Sequence, residues 1–197
     1  MTTGLTVHPL PRLAAPADYV AAVLALAALP LFVLVVGSGT ISEAADSPAF
    51  YGPTLAALGS TLALLVALVA LYVPVADTLG VSGLVAFLGA LLGTALAAGA
   101  AWTYVFVVPY FADDVPELID SSSGAVLVGF VLSYLLMGLG WLFLAALFLR
   151  RGIYRRWAVV LLAVGAAVTI LPLPSRTLLL CVAVACIAHL ARRGDVR

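Results

Sequence analysis

Arg150-Arg151-Gly152-Ile153-Tyr154-Arg155-Arg156 sets four arginines between two apolar stretches, residues 124–149 and 157–172, that carry no charge. About 20 apolar residues cross the roughly 30 Å hydrocarbon core of a bilayer. Short connections rich in Lys and Arg stay on its cytoplasmic side. The segment therefore reads as a cytoplasmic connection between two spans, and the topology of the rest follows from it.

Upstream, further apolar stretches fall at roughly 18–37, 52–73 and 81–108, and downstream one falls at roughly 176–191. Two spans beyond the arginine connection, the C-terminal tail carries Arg192, Arg193 and Arg197. Four spans before it, the N-terminal segment carries Arg12. An even number of crossings separates these clusters, so all lie on one side. The connections of the other side are acidic: Glu43 and Asp46 after the first span, then Asp113, Asp114, Glu117 and Asp120 after the third. Arg176 is the one arginine on that side, and Asp77 alone marks the connection between spans 2 and 3. The expected fold is an all-α integral membrane protein, a six-transmembrane-helix bundle with both termini cytoplasmic. Residues 1–17 form an N-terminal tail, 18–191 the membrane domain and 192–197 a C-terminal tail.

Composition agrees. Hydrophobic residues make up 65% of the 197 and charged residues 9%, with a mean hydropathy of +1.25. Soluble domains run at about 45–50% apolar and about 25% charged. Six spans with short connections leave no room for a soluble domain. All the fixed basic charge is arginine, as a GC-rich prokaryotic genome would produce. The formal net charge of zero gives no argument for nucleic acid. The first apolar stretch is too long for a signal-peptide core of about 7–15 residues and contains Pro30, so it is expected to be retained. Cys181 and Cys186 stand five apart on one helix, point to different faces and cannot bridge.

Inside the spans the pattern describes packing. Gly89, Gly93, Ala97 and Ala101 recur every four residues, and such small-residue faces let helix backbones approach closely. Gly59-Ala63-Ala67 and Gly129-Ser133 repeat the pattern in spans 2 and 4. Pro30 removes a backbone donor and should kink span 1. Aromatic residues gather near the span ends, Trp102, Tyr104, Phe106, Tyr154 and Trp157 among them, as an interfacial belt.

The concentrated polar segment is Asp113-Asp114-Val115-Pro116-Glu117-Leu118-Ile119-Asp120. Carboxylates so spaced offer hard oxygens to Mg²⁺ and faintly resemble the aspartate-rich motif of membrane prenyltransferases. Those enzymes need a second acidic motif and a basic cluster, and neither exists on this face. The local reading is a short interfacial helix starting at Asp114, with Asp120 and Ser121 to Ser123 capping span 4. Arg176 is placed to pair with one of these carboxylates. His189 and Cys186 are too few for structural zinc, which takes four ligands, and no cofactor is expected.

Ion-coupled transporters and proton relays place ionisable groups inside their spans. Here the span interiors hold only Ser60, Thr61, Thr94, Ser133 and Thr169 as polar groups, and no activated nucleophile with a base is present. Three readings remain. The first is an accessory, assembly or scaffold component packing against other membrane proteins or itself, with membrane lipid as its surroundings. The second binds or moves an apolar ligand (lipid, quinone or terpenoid) beside Trp102, Tyr104 and Phe106. The third is a Mg²⁺-dependent lipid-modifying enzyme using the acidic segment.

Around Ala101-Trp102-Thr103-Tyr104-Val105-Phe106-Val107-Val108-Pro109, Gly138-Leu139-Gly140-Trp141-Leu142, Arg155-Arg156-Trp157-Ala158 and Leu171-Pro172-Leu173-Pro174, the chain resembles uncharacterised multi-span integral membrane proteins of high-GC prokaryotes. The resemblance covers roughly residues 50–190 and implies a plasma-membrane location. It carries over no functional residue.

Overall fold

The computed structural model describes residues 10–112, 114–121, 124–171 and 177–192. Among the described residues the fold is all-helical, 91% helix with no strand, and two helical runs are long and apolar enough to cross a bilayer, Pro48–Phe106 and Gly124–Arg151.

The helices follow the breakers in the sequence. α1 (Leu10–Ala27) and α2 (Leu29–Ser38) are one apolar stretch interrupted at Ala28, with Pro30 in the first turn of α2. A proline is tolerated there because that N–H has no intrahelical partner. α1 starts inside the segment read as a tail and carries Arg12 and Asp18 on helical backbone. α3 (Ile41–Ala45) is short, and α4 (Tyr51–Tyr72) follows a 3₁₀ turn at Pro48–Phe50. Another 3₁₀ turn, Val73–Val75, leads into α5 (Ala76–Phe106), which is broken at Gly80. Gly80 has φ 60° and ψ −151°, a conformation open essentially to glycine alone. Here the chain reverses, and α5 packs back along α4.

Beyond Phe106 the acidic connection is helical rather than loose. α6 (Val108–Ala112) and α7 (Pro116–Asp120) precede α8 (Gly124–Arg151), α9 (Arg156–Ile170) and α10 (Leu178–Arg192). α9 and α10 have 15 residues each, about 22 Å at 1.5 Å per residue, short of the roughly 30 Å core.

The long helices form a ring in chain order. α1 packs on α4, α4 on α5, α5 on α8, α8 on α9, α9 on α10, and α10 returns to α1. Trp141, Phe148, Leu64, Leu68, Met137 and Leu180 fill the interior, each fully buried. Glycine marks the closest approaches. A Cβ built on Gly93 would sit 2.1 Å from Met137 N, and one on Gly140 would sit 2.2 Å from Ala90 N. At Gly165 the nearest atom would be Leu180 Cα, 2.8 Å away. Backbone contact this close maximises dispersion where the surroundings are as apolar as the side chains.

Many large apolar residues also face outward. Val81, Val85, Leu88, Leu92, Leu96, Trp102 and Phe106 run along the exposed face of α5. Leu132, Leu135, Leu139 and Phe143 do the same on α8, and Trp157, Val160, Val164 and Leu171 on α9. Large apolar residues thus lie outside the ring as well as inside it, and the exposed ones form continuous stripes that a soluble bundle would not carry.

Candidate functional site

The antiparallel ring gives the molecule two ends of opposite composition. At one end lie the turn after α4, the turn between α8 and α9, and the end of α10. Tyr154 Oη donates to Leu71 O at 3.3 Å, joining two of these. Tyr19 Oη and His189 Nδ1 are hydrogen-bonded, joining α1 to α10. Arg150, Arg151, Arg155 and Arg156 are exposed there. At the other end α3, α6 and α7 pack together, and Glu43, Asp46, Asp114, Glu117 and Asp120 are exposed.

The most organised polar site is at this carboxylate end. A helix begins with four amide N–H groups that lack intrahelical acceptors, and three of those of α3 find side-chain acceptors. Thr40 Oγ1 accepts from Glu43 N at 3.3 Å. Asp120 Oδ1 accepts from Ile41 N and Ser42 N, both at 3.1 Å, and Ser42 Oγ donates to Asp120 Oδ2. The Asp120 carboxylate thus closes the start of a helix 78 residues away in sequence, where the peptide dipoles favour negative charge. The Ser42 hydroxyl, ahead of the two backbone amides, holds its pKa below the ordinary 3.8, against a smaller opposing effect of desolvation. Beneath this clasp Ala44, Ala45, Phe50 and Ala112 form a small apolar cluster, with Val35, Tyr104, Val108 and Ile119 against it.

Two expectations change here. Asp120, expected at the start of span 4, instead has its carboxylate against the α3 amides of Ile41 and Ser42, where α7 ends. The N-cap of α7 is Val115, with no side-chain bond, and Pro116 opens the helix; Asp114 is exposed and is not the cap. Asp113, Arg176, Ser122 and Ser123 lie outside the described residues. Among the described residues, no three His, Cys, Asp or Glu side chains group as a metal site.

The three aromatic residues of α5 do not converge. Trp102 and Phe106 pair at 5.2 Å on the exposed face, whereas Tyr104 turns to Phe130 at 5.8 Å. Tyr154 is 8% exposed and meets Phe148 edge-on at 5.1 Å, so it anchors the arginine turn instead of joining an interfacial belt.

Of the small-residue positions, Gly93, Ala97 and Ala101 are buried, and a Cβ on Gly89 would be 3.7 Å from Gly140 Cα. Beside them Trp141 Nε1 donates to Thr94 Oγ1 at 3.0 Å, across α5 and α8. Gly129 differs: nothing lies within 4 Å of its Cβ position, because this part of α8 has no helix neighbour on that side. Ser133 is buried but bonds back to Gly129 O at 2.7 Å, within its own helix.

Thr40-Ile41-Ser42-Glu43 matches the Ser/Thr-x-x-Glu capping pattern, a signal for α3 that the sequence reading did not use. No family model, curated protein or solved structure matches the chain.

Proposed function

We propose that the chain is a six-span protein of the plasma membrane with both termini cytoplasmic, acting as a non-enzymatic accessory or scaffold component. The observation that carries this is the apolar surface. Large aliphatic side chains cover the outside of the ring, and glycines such as Gly93, Gly140 and Gly165 bring its helix backbones into close contact. In water such a surface would drive aggregation; in lipid it is the solvated face.

The run Pro48–Phe106 counts as two crossings, since it folds into the α4–α5 hairpin. The short α9 and α10 cross as a hairpin through locally thinned bilayer, a modest cost per ångström of mismatch. Segregated charge supports the orientation, with Arg150, Arg151, Arg155 and Arg156 at one end and Glu43, Asp46, Asp114, Glu117 and Asp120 at the other. The role is supported by what the described polar groups do: many of them cap helices, bond to backbone or join one helix to another, as Trp141 does to Thr94 and Tyr19 to His189.

Native mass spectrometry and light scattering of the chain purified in mild detergent test this role. A stoichiometric protein partner or a defined oligomer supports it. A monodisperse monomer that retains a quinone, terpenoid or other apolar small molecule overturns it in favour of ligand binding.

A further inference from the structure

We propose that the α8–α9 turn is a seat for the headgroup of an anionic phospholipid. The inference rests on the membrane reading above. Arg150 and Arg151 end α8, Arg155 and Arg156 begin α9, and all four are exposed. The residues between them are not free to move. Gly152 turns the chain at φ 63°, and Ile153 and Tyr154 are buried. Tyr154 is held on Leu71 O and against Phe148.

Four arginine side chains therefore spring from a pinned turn, so a ligand must order those side chains but not the backbone that carries them. A guanidinium offers planar paired donors matched to phosphate oxygens. From the same turn the exposed Trp157, Val160 and Val164 rise along α9, a path for acyl chains whose headgroup lies among the arginines. A basic cluster continuous with an apolar stripe matches the two halves of one anionic lipid. A soluble anion would meet only the first half.

The test uses the full chain in nanodiscs and in detergent. Native mass spectrometry should show phosphatidylglycerol retained over phosphatidylcholine. The combined R150Q, R151Q, R155Q and R156Q changes should weaken retention about tenfold or more, since each arginine near a membrane surface adds to attraction for anionic lipid. Lysine at the same four positions should restore part of it, and R192Q with R193Q should leave it unchanged. Equal retention of the two lipids, equal loss with the tail variant, or displacement by millimolar inorganic phosphate overturns the proposal. Melting temperature measured alongside shows whether a variant has merely unfolded. Failure of the wild-type chain to enter nanodiscs of any composition would instead remove the membrane reading itself.

Discussion

One methyl group added at Gly93 should force α5 and α8 apart, and the same group added at Gly99 should be accepted. A Cβ at Gly93 would lie 2.1 Å from Met137 N and 2.4 Å from Met137 Cα, where ordinary contact begins at 3.4 Å. These are backbone atoms in mid-helix and cannot rotate away, so the helices must separate by about 1 Å. Over-packing of this kind costs about 1–3 kcal/mol. The Trp141–Thr94 bond, 3.0 Å long one residue away, stretches with it, and losing it adds about 0.5–1.5 kcal/mol. Less the roughly 1 kcal/mol by which alanine is the better helix former, they amount to roughly 1–3 kcal/mol, or a fall of about 2–12 °C in melting temperature for a chain of this size. Nothing lies within 4 Å of a Cβ at Gly99, and alanine is the better helix former by about 1 kcal/mol. Thermal unfolding of Gly93→Ala and Gly99→Ala in one detergent therefore gives opposite signs. Equal shifts, or an unchanged Gly93→Ala, refute close backbone packing at this position.

Thr94→Val keeps the volume but strands the Trp141 N–H in the core, and should cost about 1–3 kcal/mol; a cycle with Trp141→Phe should recover part of the loss. Asp120→Asn should speed amide exchange at Ile41 and Ser42, and unchanged protection there would count against the clasp. Because the folded-state pKa of Asp120 is lowered, its stabilisation is present above the ordinary 3.8 and fades as pH falls through the lowered value. The asparagine variant should lose this part of the acid sensitivity, as read by exchange between pH 5 and pH 2. The acidic segment should act structurally, so millimolar Mg²⁺ should not raise the melting temperature. A ligand at a hundredfold excess over Kd would add about 2.7 kcal/mol, and a rise abolished by Asp114→Asn with Glu117→Gln would favour a metal-dependent enzyme.

The helices were legible because their signals are local. Apolar length, Pro30 and the small-residue spacing at Gly89, Gly93, Ala97 and Ala101 act over one or two turns of chain. The reversal at Gly80 falls just before the expected start of span 3 at residue 81, but the sequence reading drew nothing from that glycine. The site was less legible because its partners are remote. Asp120 and Ser42 meet only once the ring has closed, so the local rule assigned Asp120 to the helix that follows it. Tyr154 misled for a similar reason. A tyrosine among arginines reads as interfacial until the turn folds back on α4 and offers it the Leu71 carbonyl. Gly129-Ser133 has the spacing of a packing face, but spacing does not reveal whether a neighbouring helix extends that far along α8.

Cysteine accessibility at the two ends tests the central claim most directly. In a Cys181→Ala, Cys186→Ala background, Glu117→Cys and Arg151→Cys place single thiols at exposed positions of opposite ends. A membrane-impermeant maleimide applied to intact cells should label the first and reach the second only after permeabilisation. Labelling of Arg151→Cys alone would invert the orientation, and labelling of both in intact cells would contradict a bundle that spans the membrane between them.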